Sequence, residues 1–298
     1  IIYLTLTIVL LGLYYVNGMS LFDAIAHSFT TISTGGFSTH DLSFAYFENH
    51  SILLISIIFM ILGSFPFLVL AKTNIKNPFE AFKDHQVKIF LLLLFISICL
   101  IYFFAQKYLV GSEIQKIIII SFNTISIISG TGFISENFEG WGNYASTLFL
   151  ILMFIGGCAG STTGGIKIFR FQILLKYIAI HLKKMLQPHA VIASHFNGRK
   201  IKDSTYESVM IFFFIYILTF AFSTLLLSFS GLDFLTCFSA AASAVSNVGP
   251  GLGDIIGPEG NYGSLTSYSK IILIFTMFLG RLEMLTILVL FLPSFWKS

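Results

Sequence analysis

The segment Gly130-Thr131-Gly132-Phe133 lies between two apolar stretches that are each long enough to cross a lipid bilayer. The segments Thr34-Gly35-Gly36-Phe37 and Asn247-Val248-Gly249-Pro250 hold the same place in the earlier and later parts of the chain. Gly36 and Gly132 are 96 residues apart, and Gly132 and Gly249 are 117 apart. A pattern that recurs at such a period indicates one structural unit present in several copies.

Composition places these units in a membrane. The mean hydropathy is +0.88, hydrophobic residues make up 56% of the chain, and charged residues make up only 10%. A soluble domain of 298 residues does not need so much apolar surface. The runs 52–60 and 89–100 are continuously apolar and do not alternate with polar residues, which favours helices over strands. The sequence therefore predicts an all-α polytopic membrane protein.

Six apolar runs predict the membrane spans, at about 1–17, 51–71, 87–106, 144–180, 207–229 and 269–293. Three shorter segments, at about 20–33, 113–128 and 232–246, each lead into one of the tetrapeptides. We expect these to be half-helices, with Ser20 and Gly231 as N-caps of the first and third. The chain thus divides into three helix–pore loop–helix units around a central pore, which are residues 1–75, 76–185 and 186–298.

The charge distribution predicts the orientation. Thirteen of the 17 basic residues lie between the units or at the C-terminus, whereas the segments that hold the tetrapeptides carry a net charge of −6. The positive-inside rule places the basic loops in the cytoplasm and the tetrapeptides on the outer side. An acidic outer mouth attracts cations.

The tetrapeptides are candidate ion ligands. Glycine permits backbone angles that turn successive carbonyl oxygens toward a cation, and unpaired backbone is tolerated at membrane depth where it lines a watery cavity. A half-helix would also direct its partly negative C-terminal end at the ion, and Phe37 and Phe133 would pack outward and hold the loops. Ordinary turns between helices are the alternative. The predicted cation ligands are Thr34, Gly35, Gly36, Phe37, Gly130, Thr131, Gly132, Phe133, Asn247, Val248, Gly249 and Pro250.

The fourth predicted span contains a run of helix-weak residues that should break it inside the membrane. A mobile gate below the filter is one reading, close helix packing through Gly-x-x-x-Gly is another, and a phosphate-binding loop is a weaker third. Arg281 is a costly charge within the last span and is expected to point into the pore near this break, or else to form a buried ion pair. The predicted gate residues are Gly156, Gly157, Gly160, Ser161, Thr162, Thr163, Gly164, Gly165 and Arg281.

Residues 27–41, 156–167, 247–251 and 280–283 together resemble the Trk/Ktr/HKT potassium transporter superfamily, specifically its TrkH branch. The resemblance covers the whole chain and implies four repeats around one pore, of which this chain shows the second, third and fourth. Residue 1 already lies in an apolar stretch, so we expect the natural chain to extend upstream. The family also implies a bacterial inner-membrane location, a homodimer and a cytoplasmic nucleotide-binding regulatory subunit.

Potassium uptake through a carbonyl-lined filter is therefore the expected function. The basic segment 176–202 is the candidate surface for the regulatory subunit or for anionic membrane lipid. An ion-coupled secondary transporter of a small solute is the alternative, because such proteins also use repeats with broken helices. The sequence contains no Ser/His/Asp or paired-carboxylate arrangement that would indicate an enzyme. We expect no cofactor and no nucleic-acid partner, with K⁺ as the transported ion.

Overall fold

A computed structural model describes residues 1–73, 80–189, 195–197, 199–282, 284–290 and 292–297. The order long helix, short helix, non-helical segment, helix occurs three times along the described chain. Residues 190–194 and 198 of the basic segment, and Glu283 of the 280–283 motif, lie outside the described residues.

The helices and strands have the following bounds. The first unit contains α1 (Ile2–Val16), α2 (Leu21–Ile32), α3 (His50–Gly63) and α4 (Phe67–Leu70). The second contains α5 (His85–Ala105), α6 (Glu113–Ile128), α7 (Asn143–Met153) and α8 (Ile168–Leu186). The third contains the short antiparallel pair β1 (His195–Phe196) and β2 (Arg199–Lys200), followed by α9 (Asp203–Ser228), α10 (Phe234–Ser246), α11 (Ser267–Arg281) and α12 (Leu285–Leu290).

The short helices α2, α6 and α10 form the centre of the packing. Each contacts both flanking helices of its own unit, so α2 lies against α1 and α3, α6 against α5 and α7, and α10 against α9 and α11. Contacts between units follow the same rule, because α3 packs on α6 and α7 packs on α10. The helix that follows the short helix of one unit therefore packs against the short helix of the next unit.

Side-chain caps fix where the short helices begin. The Ser20 hydroxyl accepts a hydrogen bond from the Asp23 N–H, as expected from the sequence. Ser112 and Gln115 form a reciprocal capping box at the start of α6. The Gly231 prediction is wrong: the carboxylate of Asp233 caps α10 by accepting from the Thr236 N–H. An acidic side chain satisfies a free N–H at a helix start, which glycine cannot do.

Three of the predicted spans are not continuous helices. The 51–71 span stops at Gly63 and resumes at Phe67 after Pro66, the 144–180 span is non-helical over residues 154–167, and the 269–293 span is interrupted after Arg281. By length and composition, α5 and α9 can each cross a bilayer, and α1, α3, α7 and α10 are shorter apolar helices. Many large apolar side chains on α5 and α9 are exposed, among them Phe95, Phe103, Phe214 and Phe222, and lipid is the solvent that suits them.

Candidate functional site

Each short helix ends in the same hydrogen-bonded motif, and the tetrapeptide begins inside it. The N–H of the second tetrapeptide residue donates to the carbonyl five residues earlier, and the distances are 2.7 Å for Gly35, 2.9 Å for Thr131 and 3.0 Å for Val248. The N–H of the first residue donates to the carbonyl three residues earlier. These two bonds define a Schellman motif, in which the first residue of the tetrapeptide adopts a left-handed backbone conformation.

The sign of φ alternates along all three tetrapeptides. The first residues are left-handed, with φ of 50° at Thr34, 67° at Gly130 and 56° at Asn247. The third residues Gly36, Gly132 and Gly249 also have positive φ, whereas the residues between them do not. Backbone that alternates in this way can turn successive carbonyl oxygens to one side, as a row of ligands for a cation requires.

The tetrapeptides lie side by side in chain order. A Cβ added to Gly36 would overlap the carbonyl oxygen of Thr131, and one added to Gly132 would overlap the carbonyl oxygen of Val248. The same atom at Gly249 would meet nothing nearer than the Cα of Gly132, at 3.9 Å. The third residue of each tetrapeptide thus abuts the second residue of the next, and the outer side of Gly249 has no such neighbour among the described residues.

A hydroxyl four residues before each tetrapeptide supports its outer end. Thr30 Oγ1 donates to the carbonyl of Phe37 at 2.9 Å, and Ser126 Oγ donates to the carbonyl of Phe133 at 2.7 Å. Ser243, at the same register in the third unit, instead accepts a hydrogen bond from the Gly249 N–H at 3.0 Å. These three residues were missed in the sequence, although aligning the units on their glycines shows a hydroxyl at this register each time.

The last residues of the first two tetrapeptides, Phe37 and Phe133, differ in their surroundings. Phe133 is fully buried, with its ring centroid 4.4 Å from that of Phe44 in the first unit. Phe37 is 75% exposed, so its role in holding the first loop stays a prediction. The cover over Phe133 comes from the preceding unit, and the described chain has no unit in that position relative to Phe37.

The non-helical segment 154–167 folds into a loop with a tightly packed base. The N–H groups of Ile166 and Lys167 donate to the carbonyls of Phe154 and Ile155, at 3.1 and 2.8 Å. A Cβ at Gly156 would overlap the carbonyl oxygen of Gly164. Glycine is therefore required where the two arms of the loop meet. Gly165, with φ of 73°, lies against Gly156 in the same base.

The tip of this loop is held by the break between α3 and α4. Cys158 N–H donates to the Ser64 carbonyl at 3.0 Å, and Phe67 N–H donates to the Gly160 carbonyl at the same distance. Within the loop, Ser161 and Thr163 share a 2.7 Å hydroxyl contact, and the Gly157 N–H donates to Thr163 Oγ1. The broken ends of the helices and the loop thus satisfy one another's backbone groups.

The loop lies against the inner ends of all three tetrapeptides. Thr162 Oγ1 lies 3.0 Å from the carbonyl of Ile32 and 3.2 Å from the hydroxyl of Thr34. On the other side, a Cβ at Gly164 would overlap the carbonyl oxygen of Ser246, which directly precedes Asn247. Gly164 also lies next to Gly130, the first residue of the middle tetrapeptide. The predicted gate residues and the predicted filter residues are therefore in contact.

Arg281 and the loop line one cavity. Its volume is about 190 Å³, and its walls include residues 161–165, Gly280 and Arg281. Lys167 and Arg170 also line it, so three cationic side chains border the space. Gly280 approaches the end of α10 closely, because a Cβ there would overlap the Val245 carbonyl oxygen.

Acidic residues follow the C-terminal ends of the tetrapeptides. Glu136 follows the middle tetrapeptide by three residues and is half-buried, and this burial raises the pKa of its carboxyl group. Among the described residues, no group of three or more His, Cys, Asp or Glu side chains could hold a metal ion.

The fold and this arrangement are those of an all-α membrane transport protein. A family model described as TrkH, cation transport protein, matches residues 1–298, and the chain belongs to that family. It is 39% identical over 300 residues to the Trk system potassium uptake protein TrkI of Halomonas elongata, covering all of this chain and 60% of the relative. It is 36% identical to TrkH of Vibrio parahaemolyticus, covering all of this chain and 61% of that protein.

Solved structures agree. The crystal structure of the potassium transporter TrkH from Vibrio parahaemolyticus matches with a TM-score of 0.91 at 35% identity, over 99% of this chain and 63% of that chain. The chain thus spans about 60% of the length of the relatives it matches.

Proposed function

We propose that this chain supplies three adjacent walls of a pore that carries K⁺ across the membrane. The observation that carries this function is the geometry shared by the three tetrapeptides, a Schellman helix end and a φ of alternating sign, together with the packing of Gly36 and Gly132 against the next tetrapeptide. Relatives named as potassium uptake proteins support K⁺ as the ion. The open side beside Gly249, and the open position beside Phe37, leave room for a fourth wall.

The filter ligands are the backbone carbonyls of the three tetrapeptides. The C-terminal ends of α2, α6 and α10 lead into them, so the partial negative charge of each helix end favours a cation there. K⁺ is the transported substrate, and its dehydration is offset by the carbonyl oxygens.

The 156–165 loop acts as the gate, with Arg281 as a charge barrier beside it. Contacts with Thr34, Gly130 and Ser246 put the loop at the inner end of the filter segments, where it would obstruct an ion leaving toward the cytoplasm. Arg281 borders the cavity next to the loop and opposes a passing cation by Coulomb repulsion.

The surrounding assembly follows from charge and family. The tetrapeptides and acidic loops face outward and the basic segments face the cytoplasm of a bacterial inner membrane. The chain works as part of a homodimer, and residues 176–202 dock a nucleotide-binding regulatory subunit. Two binding experiments distinguish the candidate partners of this segment. If the full-length protein in detergent binds the purified regulatory subunit, the segment docks a protein. If it binds only vesicles of anionic lipid, the segment docks lipid.

Ion flux in proteoliposomes made with the full-length protein tests the function. We expect saturable K⁺ uptake that is abolished when the tetrapeptide geometry is broken. Uptake of an organic solute that does not depend on K⁺ would instead support a secondary transporter, and an absence of K⁺ flux in the wild-type protein would refute the proposal.

A further inference from the structure

One filter carbonyl has a side-chain partner that its counterparts lack. The hydroxyl of Tyr262 donates a 2.7 Å hydrogen bond to the carbonyl oxygen of Gly249. The equivalent carbonyls in the other units belong to Gly36 and Gly132, and no described residue donates a hydrogen bond to either. The three carbonyls at the third tetrapeptide position therefore differ in their hydrogen bonding around the pore.

Both polar groups of Gly249 are held from outside the tetrapeptide. Its N–H donates to Ser243 Oγ, and its carbonyl accepts from Tyr262. Gly249 has a φ of 115°, which glycine adopts readily because it has no Cβ. The orientation of its peptide groups therefore depends on these two hydrogen bonds. In the first two units, the outer hydroxyl contact is made one residue later, at the carbonyls of Phe37 and Phe133.

Tyr262 is itself fixed by a folded outer loop. Leu252 exchanges two hydrogen bonds with Ser239 of α10, at 2.9 Å from its N–H and 3.1 Å to its carbonyl. The Gly253 N–H donates to the carboxylate of Glu139 in the second unit at 2.7 Å. A hydrogen bond from a backbone N–H to a carboxylate is among the stronger kinds. The loop that carries Tyr262 is thus anchored to two units.

We propose that Tyr262 is a specificity-determining residue that competes with the permeating ion for the carbonyl oxygen of Gly249. This inference rests on the proposed function, because it treats that carbonyl as one of the K⁺ ligands. A carbonyl oxygen has two lone pairs, so it can accept the hydroxyl and still face the ion, but with less electron density to offer. The ligand layer at this level is weaker on the side of the third unit.

The conservative variant Tyr262→Phe removes only the hydroxyl. We expect the freed carbonyl to bind the ion more tightly, so the half-saturating K⁺ concentration falls about two- to tenfold, the range that one neutral hydrogen bond produces. The Na⁺-to-K⁺ flux ratio should change in the same experiment, since a stronger ligand layer alters the balance between the two ions. Maximal flux should change less than half-saturation.

Tyr268→Phe is the matched control, because Tyr268 is an exposed tyrosine at the start of α11 and makes no hydrogen bond with the described residues. Both variants are measured in the full-length protein after melting curves show that they remain folded. An independent readout is the K⁺ concentration that half-maximally raises the melting temperature.

The outcomes separate this inference from the proposed function. If the wild-type protein carries no K⁺, the proposed function fails. If the wild-type protein carries K⁺ and Tyr262→Phe leaves half-saturation and the flux ratio unchanged, only the role of Tyr262 is refuted. A higher half-saturating concentration in the variant also refutes it, since the hydroxyl would then support the ligand and not compete for it.

Discussion

The hydroxyl of Thr34 lies 3.2 Å from the hydroxyl of Thr162, and this contact joins the first tetrapeptide to the loop beneath it. Thr162 Oγ1 is also within hydrogen-bond distance of the carbonyls of Ile32 and Gly63, at 3.0 and 3.1 Å. One side chain of the loop therefore contacts the end of α2, the end of α3 and the first tetrapeptide. A loop that moves aside must break these contacts together.

Replacing Thr162 by valine keeps the shape of the side chain and removes its hydrogen bonds. We expect the loop position seen here to lose about 1–2 kcal/mol relative to an opened one. A rarely populated open state would then become about five- to thirtyfold more frequent, and basal K⁺ flux would rise accordingly. Thr162→Ser should restore low basal flux. If the valine variant conducts no more than the wild-type protein, the loop does not limit the flux.

Gly132→Ala tests whether neighbouring tetrapeptides pack directly against one another. The added Cβ overlaps the Val248 carbonyl oxygen, and the backbone of Gly132 has φ of 80°. Overpacking and the left-handed conformation together should cost about 2–4 kcal/mol and abolish K⁺ flux. Gly12→Ala is the control, because nothing lies within 4 Å of the position of its Cβ in α1. Equal flux from both variants would contradict the packed arrangement.

Arg281→Gln tests the charge barrier while preserving much of the side-chain volume. A fixed charge about 8 Å from a cation opposes it by about 2 kcal/mol at an effective dielectric constant of 20. We therefore expect K⁺ flux to rise by up to about thirtyfold in the variant. Arg281→Lys retains the charge and should stay close to the wild-type rate. A fall in flux for Arg281→Gln would indicate that the side chain holds the loop in place.

Glu136→Gln should reveal the effect of burial on this carboxyl group. Its pKa is raised by burial, so the folded protein disfavours the charged form more than the unfolded chain does. The charge therefore reduces stability at neutral pH, and this penalty disappears as pH falls through the raised pKa. We expect the variant to melt at a higher temperature than the wild-type protein at pH 7.5, with the difference vanishing in acid. The exposed Glu259→Gln is the control, and a pH-independent difference would contradict this.

Much of the site was predictable because its signals are local. The predicted segment 113–128 coincides with α6 (Glu113–Ile128), and the capping box of Ser112 and Gln115 shows that the sequence also carried a start signal that the prediction did not use. The recurring glycines also indicated where the backbone would turn. These signals act within about five residues along the chain, which is the range over which capping and helix-end motifs operate.

The remaining features depend on partners far along the chain. The span predicted at 51–71 stops at Gly63, and the Gly63 carbonyl accepts a hydrogen bond from the N–H of Thr162, about a hundred residues further along the chain. Pro66 is a local signal that indicated a break in this span, since the residue before a proline avoids the helical conformation. Tyr262 gave no local signal: its contact with Gly249 arises only when the outer loop folds back on α10.

The Schellman ends of α2, α6 and α10 divide each tetrapeptide into two chemically different halves. The inner half is anchored by main-chain hydrogen bonds that any sequence able to form the motif can supply. The outer half depends on individual side chains, and these differ among Thr30, Ser126 and Ser243. Mutation can therefore change the outer half of one tetrapeptide without touching the other two, while the main-chain hydrogen bonds of the inner half stay the same in all three.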